Sequence, residues 1–516
     1  MHSCDQQNGY AKSCKKGYEL DSTSCNECAA ETYQKDDGSS SQCIPWTYTK
    51  AICEAENKEP SGGSTISNTT GCASKYELLP GVYTDNYHSC ALTKESKLYC
   101  WGGNSYGQLG QGHNDHIGDN PNEMQNLQAI DLGSQILQVS VGLYHTCALL
   151  EGGQVKCWGW NVSGILGQGH TNNIGDDPNE MANLEAIDFG IDDSGKKYTA
   201  IKIAAGRISS CAILHDGKIK CWGINNNGQL GQGHTSDIGD DPNEVRDLTA
   251  IDLGGKAVDI QIGGNHVCAL VDPDNDEDSN DLNLHCWGNN YAGQLGRDNT
   301  QKMGDQIGEM EIIKNNPIDF GANVYVKEVA VGFEHTCAIL TNNDLHCWGK
   351  NDKGQLGRNN TQNMGDQSGE MQTIKGNPIN LGQDRIAVKV AAGRFHTCVL
   401  TGAGEIYCWG LNLNGQLGRG DTTQIGHDTT NGVPEQLKAV DLGESSSGQK
   451  HTATQLSPAA NNTNCAVLSN GQVKCWGWNG FGQSGQGHTI NIGDSADAIK
   501  NLDPIKIGGS YLQIHP

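Results

Sequence analysis

The residues best suited to chemistry in this chain form three sets. In DPDNDEDSND, Asp272, Asp274, Asp276 and Asp278 alternate along a turn-rich stretch, with Glu277 and Asp281 beside them. Carboxylates at that spacing supply the hard oxygen ligands that calcium takes. The Gly at position six and the Glu at position twelve of an EF-hand loop are absent, so the alternatives are a weak calcium site and a solvated acidic loop. Calcium is the one cofactor the sequence suggests. Pairs four residues apart, Asp119/Glu123, Asp176/Glu180, Asp240/Glu244, Asp305/Glu309 and Asp366/Glu370, raise the same question. Their plainer reading is a turn whose carboxylate caps backbone N–H groups while Gly supplies positive φ. The second set, His88, His145, His335 and His396, has the side chain of a general acid or base. All four occupy the same place in a repeated phrase, which favours a structural hydrogen bond within each repeat. There is no phosphate-cradling loop, G-x-S-x-G or H-E-x-x-H, and the expectation is that the protein is not an enzyme.

The third set is the cysteines, 21 in 516 residues. Cys-Trp-Gly occurs seven times, at Cys100, Cys157, Cys221, Cys286, Cys347, Cys408 and Cys475. Each copy has a second cysteine upstream, at Cys90, Cys147, Cys211, Cys268, Cys337, Cys398 and Cys465. The gap is ten residues in six copies and eighteen in the fourth, where the acidic stretch is inserted. The elements that must position these pairs read as strand, strand, tight turn, strand: AIKIAAG, then CAIL, then KIKCWG. Six residues after the first cysteine stands Gly153, Gly217, Gly404 or Gly471, with Asn343 and Ser96 in two other copies. A three-residue hairpin loop needs positive φ there. Such a turn sets residue i opposite i+10, and directly opposed Cβ atoms about 4.5–5.5 Å apart are close enough for a disulfide. One hairpin disulfide per repeat is therefore expected, and with it an oxidising compartment.

A unit of about 60 residues made of short strands cannot bury its apolar faces alone, and such repeats stack radially as blades around an axis. Seven copies imply seven blades, and PIKIGGSYLQI (504–514) repeats the start of a unit and stops, a natural partner for the first blade. The repeated pattern G-x-x-H-T/S-C-A-L … G-x-V-x-C-W-G-x-N-x-x-G-Q-L-G resembles the repeat of the regulator of chromosome condensation family over about 75–516. The resemblance implies a seven-bladed β-propeller. It does not imply one function: the nuclear archetype is a nucleotide-exchange factor for a small GTPase, whereas a secreted relative inhibits β-lactamases by protein–protein contact. Paired cysteines and strong acidity make this chain similar to the secreted, cysteine-bearing branch.

Cys4, Cys14, Cys25, Cys28, Cys43, Cys53 and Cys72 precede the repeats. The stretch CKKGYELDSTSCNECAAETYQKDDGSSSQC (14–43) is similar to ephrin-receptor-like or growth-factor-receptor-like cysteine modules, which are extracellular and held by disulfides for want of a core. Cys25-x-x-Cys28 lacks the second pair of a zinc site and the βαβ setting of a redox motif. The expected fold is all-β: a small disulfide-rich module (1–58), a linker (59–74) and a seven-bladed propeller (75–516) with one hairpin disulfide per blade.

The formal net charge is −25, with no stripe of Lys and Arg, which argues against nucleic acid and anionic membrane surfaces as partners. No apolar run approaches the 18 or so residues of a membrane span, so no membrane insertion is expected. Sequons at Asn68, Asn161, Asn359 and Asn461 would be glycosylation acceptors in a secreted protein. Trp160 and Trp478 follow Cys-Trp-Gly in only two units, which makes them candidate ligand contacts. The leading expectation is a secreted, non-enzymatic structural or adhesive building block that associates with copies of itself in a surface appendage, sheath or matrix. The alternative is a propeller that binds a protein or glycan on one face.

Overall fold

The computed structural model describes residues 78–85, 87–276, 281–428, 434–457 and 462–514, with strand segments among the first 77. The chain divides into two compact units, Met1–Glu77 and Leu78–Pro516. In the first, the described residues are short strands paired as hairpins, such as Tyr18–Leu20 with Cys25–Glu27 and Thr32–Gln34 with Cys43–Pro45. The cysteine side chains of the expected module and most of the expected linker lie outside the described residues.

The second unit holds, among its described residues, seven three-stranded antiparallel sheets, each running inner, middle, outer in chain order. Sheet one is Gly81–Thr84, His88–Leu92 and Leu98–Gly102. Sheet two is Ile136–Val141, His145–Leu150 and Gln154–Gly159. Sheet three is Ala200–Ala205, Ser209–Leu214 and Ile219–Gly223. Sheet four is Lys256–Ile262, His266–Asp272 and Asn283–Gly288. Sheet five is Val326–Val331, His335–Leu340 and Leu345–Gly349. Sheet six is Ala387–Ala392, His396–Thr401 and Ile406–Gly410. Sheet seven is Ala453–Leu456, Thr463–Leu468 and Val473–Gly477.

The hairpin between middle and outer strands follows the turn chemistry. Gly153, Gly217, Gly404 and Gly471 have φ of 76–83°, and Asn343 and Ser96 take the same region at 69° and 58°. The register places the cysteines directly opposite, and all seven pairs are bonded with Cα atoms 4.0–4.1 Å apart. A fourth strand survives only in fragments: in sheet one, Gly102 bridges Ile117 and Leu98 bridges Ile130. The residues between them form the acidic loop with its short helix Glu123–Asn126.

Middle strands such as HTCALL are buried along their whole length, because neighbouring sheets cover both faces. The sheets are bolted by polar contacts that recur with the repeat. Every Cys-Trp-Gly indole donates to a carbonyl of the preceding repeat: Trp158 to Gln108 at 3.1 Å, Trp222 to Ile165 at 2.9 Å, Trp287 to Gln229 at 3.0 Å. Trp348, Trp409 and Trp476 do the same to Gln294, Gln355 and Gln416. The series closes, since Trp101 donates to Gln483 at 3.0 Å and Gly487 N–H donates to Gly118 O. The first and last sheets also share one apolar cluster, with Val82, Ala91 and Trp101 against Val467, Val473 and Ile505. At Gly107 (φ 76°) a Cβ would run into the backbone of Gly175 and Asp176, so this close approach of one repeat to the next needs glycine.

The inner strands surround a central cavity of ≈ 160 Å³ lined by residues such as Val139, Ile203, Ile260, Val329 and Val390. The open inner edge of sheet three is satisfied by side chains of sheet two. The Gln138 amide accepts from Ile203 N–H and donates to Ile203 O, at 3.0 and 2.9 Å, and the Ser140 hydroxyl accepts from Ala205 N–H.

Candidate binding face

In each sheet the residue before the middle strand and the residue after the outer strand meet at the same end. Trp160 N–H donates to Tyr144 O, Trp478 N–H to Asn462 O, and Lys350 N–H to Glu334 O. These positions from all seven sheets form one face of the ring. Around its centre the loops between inner and middle strands are tied in series: Leu143 N–H to Gly206 O, Arg207 to Gly263, Gly264 to Gly332 and Phe333 to Gly393.

Aromatic side chains from three consecutive sheets converge on one arc of this face. Tyr87 and Tyr144 stack at 4.6 Å. Tyr144 continues edge-on to Trp160 at 5.6 Å, and Tyr106 touches both, at 5.2 and 5.8 Å. On the other side Tyr87 meets Trp478 at 5.6 Å and Phe481 at 5.4 Å. All six rings are half-buried. Such spacings suit offset and edge-to-face aromatic packing, which holds large flat surfaces rigid while leaving part of each to a ligand.

The rest of the central rim carries cations on aromatic rings. Arg207 lies over Phe333 at 5.3 Å, and Arg394 over Phe333 at 5.1 Å and Phe395 at 5.2 Å. Lys350 pairs with Glu334 at 2.8 Å and lies over Tyr291 at 5.5 Å. Burial raises the Tyr144 phenol above its ordinary range, reinforced by Tyr87 and opposed by the Arg207 charge.

Trp160 and Trp478, the candidate ligand contacts, both lie on this face, and Tyr87 with Tyr144 joins them into one surface. The sequence reading missed those tyrosines, Phe481 and the two arginines. The signal was present in YHSC and YHTC, where the residue beside the repeated His is the one that faces the ring's end.

The histidines do not form a site, and their hydrogen bond is not within a repeat as expected. His88 Nε2 lies 2.8 Å from Thr146 Oγ1 of the next sheet. His145 meets Ser210, His266 meets Thr336, His335 meets Thr397 and His396 meets Asn464 in the same way. The Thr146 hydroxyl spends its proton on Gln108 O, so Nε2 of His88 must carry the proton and donate. Burial holds these imidazoles neutral, with pKa values lowered to about 3 for His88, His145, His266 and His335 and about 4 for His396.

The acidic pairs behave as capped turns. Glu180 Oε2 accepts the N–H groups of Gly175, Asp176 and Asp177 at 2.7–3.1 Å, and Glu309 and Glu370 repeat the arrangement. In sheet four, Asp272, Asp274, Asp276 and Asp281 each place a carboxylate oxygen within 4.8 Å of the others. Asp281 joins three of the expected ligands; the fourth, Asp278, lies outside the described residues. This cluster sits on the middle–outer hairpin, at the end of the ring opposite the aromatic face. Its four hard oxygen donors suit calcium chemically.

Asn161 is a correction. It is fully buried, its amide donates to His170 O and Asn172 O, and its Oδ1 accepts from Leu166 N–H. A glycan has no room there: this is the Asn of the repeated Cys-Trp-Gly-x-Asn, used to fold the loop that follows. Asn359 is half-buried with φ 58°. Asn68 and Asn461 lie outside the described residues. No helix among the described residues is long and apolar enough to cross a membrane.

A family model described as the RCC1-like domain matches residues 191–511, and models of the regulator of chromosome condensation (RCC1) repeat match 136–165 and 95–149. The chain is 27% identical over 361 residues to the ultraviolet-B receptor UVR8 of Arabidopsis thaliana, covering 69% of this chain and 68% of that protein. It is 27% identical over 364 residues to the human E3 ubiquitin-protein ligase HERC2, covering 70% of this chain but only 7% of that protein. Among solved structures, yeast RCC1 (Prp20) bound to Kap60 matches with TM-score 0.57 at 20% identity, over 85% of this chain and 90% of that one. Human WBSCR16 matches with TM-score 0.55 at 18% identity, over 71% and 82%.

Proposed function

Because the chain belongs to the RCC1-like domain family, we propose that it is a secreted, non-enzymatic, seven-bladed β-propeller that captures a protein partner on the aromatic face. The observation that carries this is the contiguous arc of Tyr87, Tyr144, Tyr106, Trp160, Trp478 and Phe481, drawn from three sheets onto one surface. Aromatic residues held rigid beside a few charged groups are the composition of binding hot spots. The extracellular setting is supported by the seven hairpin disulfides, which an oxidising compartment maintains. A non-catalytic role fits the repeated histidines, whose donors are committed between sheets.

The deciding experiment is affinity capture from the native surroundings with wild type and with Trp160→Ala/Trp478→Ala. Loss of capture in the double variant, with an unchanged melt, supports the face; equal capture by both removes it.

The self-associating building block is the second reading, favoured by the regular rim of Glu-capped loops that repeats from sheet to sheet. A monodisperse monomer in light scattering, with and without calcium, would discard it. A glycan is the alternative occupant of the aromatic face. Calcium on Asp272, Asp274, Asp276 and Asp281, a cysteine-rich module at 1–58 and glycosylation at Asn359 complete the proposal.

A further inference from the structure

Arg207 and Arg394 flank the centre of the aromatic face, and both rest on the ring of Phe333. The cation–π contact holds both guanidiniums against one ring but leaves their N–H donors unspent. Neither side chain makes a hydrogen bond or ion pair with the described residues, and Nε of Arg394 is buried without an acceptor. The other part-buried cations each reach at least one acceptor: the Lys220 ammonium donates to Phe189 O, Val245 O and Arg246 O, and Arg297 and Arg358, whose Nε atoms also lack acceptors, each give one N–H to a carbonyl, Asn316 O and Asn377 O. Lys350, the third cation of the rim, is already paired with Glu334. Among the described residues, Arg207 and Arg394 are thus the two arginines whose side chains make no hydrogen bond or ion pair, and in a chain of net charge −25 their half-buried forks are open to an external acceptor. A guanidinium fork matches a carboxylate in bidentate geometry, and an aromatic ring beneath it excludes competing water.

We propose that Arg207 and Arg394 form a carboxylate-binding subsite, so that the partner enters the face with an acidic peptide segment whose apolar side chains lie on the Tyr87–Tyr144–Trp160–Trp478 arc. This rests on the binding-face reading and adds the chemistry of the partner. Charge complementarity selects the occupant: on a chain of net charge −25, two guanidiniums without a carboxylate partner give an acidic segment a local point of attraction.

The test uses a fluorescently labelled eight-residue peptide of glutamates around a central Phe, and the same peptide with every Glu replaced by Gln, titrated into the full chain. The Glu peptide is expected to bind at least tenfold more tightly, and Arg207→Gln/Arg394→Gln to lose at least that factor while still unfolding in one cooperative transition, since the substitutions remove cation–π contacts with Phe333 and Phe395 but no hydrogen bond or ion pair. Arg207→Lys/Arg394→Lys, which keeps charge but not the fork, should fall between. Equal affinity for the two peptides, or unchanged affinity in the Gln variant, overturns the subsite. If Trp160→Ala/Trp478→Ala abolishes capture of the native partner while Arg207→Gln/Arg394→Gln leaves it intact, the aromatic face stands and the carboxylate inference falls. Concentration-dependent self-association that needs both arginines but does not compete with the Glu peptide makes a second copy the occupant and likewise overturns it.

Discussion

The indole N–H of Trp101 donates to the carbonyl oxygen of Gln483 at 3.0 Å, across 382 residues of sequence. Six other tryptophans make the same bond to the repeat before them, so the junction between the last and first sheets carries the same indole bond as every internal one. Trp101→Phe and Trp287→Phe should each lose about 1–3 kcal/mol in urea unfolding, the range for leaving a buried acceptor short of a donor. A negligible loss for Trp101→Phe alone would mean that the ring stands open in solution.

Acid should loosen the bolts between sheets. The five imidazoles that bridge sheets are lowered to about 3 or 4, well below the 6.5 of an exposed histidine. Between those values the unfolded chain binds protons that the folded one refuses, so stability falls as pH drops below 6.5 and continues to fall until the folded pKa is reached. Each such histidine contributes about 1.4 kcal/mol per pH unit in that window. Urea midpoints at pH 7 and pH 5 check this, and His335→Gln should shallow the slope by about one proton. A midpoint indifferent to pH would contradict the burial.

Lys220 fills a position where an uncharged side chain would strand three carbonyls, whereas Lys156 serves one, Leu132 O at 3.1 Å. Lys220→Met should therefore cost about 3 kcal/mol or more, and Lys156→Met about 1. Chemical denaturation of the two variants would reveal equal losses if the three-carbonyl plug carried no weight.

The hairpin disulfides are buried, with every cysteine at most 3% exposed. Native protein should resist alkylation in mild reductant and label only when unfolded. Replacing Cys211 and Cys221 by Ala should cost about 3 kcal/mol, the chain-entropy value for a loop of that length. Mass spectrometry of rapid labelling in native buffer would refute the expected protection.

At the opposite end of the ring, calcium should bind the Asp272, Asp274, Asp276 and Asp281 set weakly, in the roughly 10⁻⁴–10⁻³ M range of extracellular modules. Calorimetric titration should give one site, lost in Asp276→Asn. A flat titration of wild type would make the loop a solvated one.

What the sequence disclosed was local. Cys211 and Cys221 are ten residues apart with Gly217 between them, so spacing and turn chemistry alone determine the hairpin. The interface between sheets was illegible for a physical reason: Trp222 bonds a backbone carbonyl, Ile165 O, and a carbonyl has no residue type to recognise. The aromatic face escaped for another. Tyr87 and Trp478 are neighbours only because the ring closes, and no local pattern brings repeat seven beside repeat one. Asn161 misled because a sequon is read from three residues, whereas its burial is decided by His170 and Asn172 in the loop that follows.

A ring whose seam carries the same indole bond as its other junctions has no obligatory first sheet. Order along the polypeptide is then a matter of wiring, not of architecture: a circular permutant opened in the exposed connection after Gly254, with residue 514 joined to residue 78 by a flexible bridge, should close into the same disc. The site on its face would survive the rewiring, because its aromatic residues are assembled by position around the axis and not by distance along the chain.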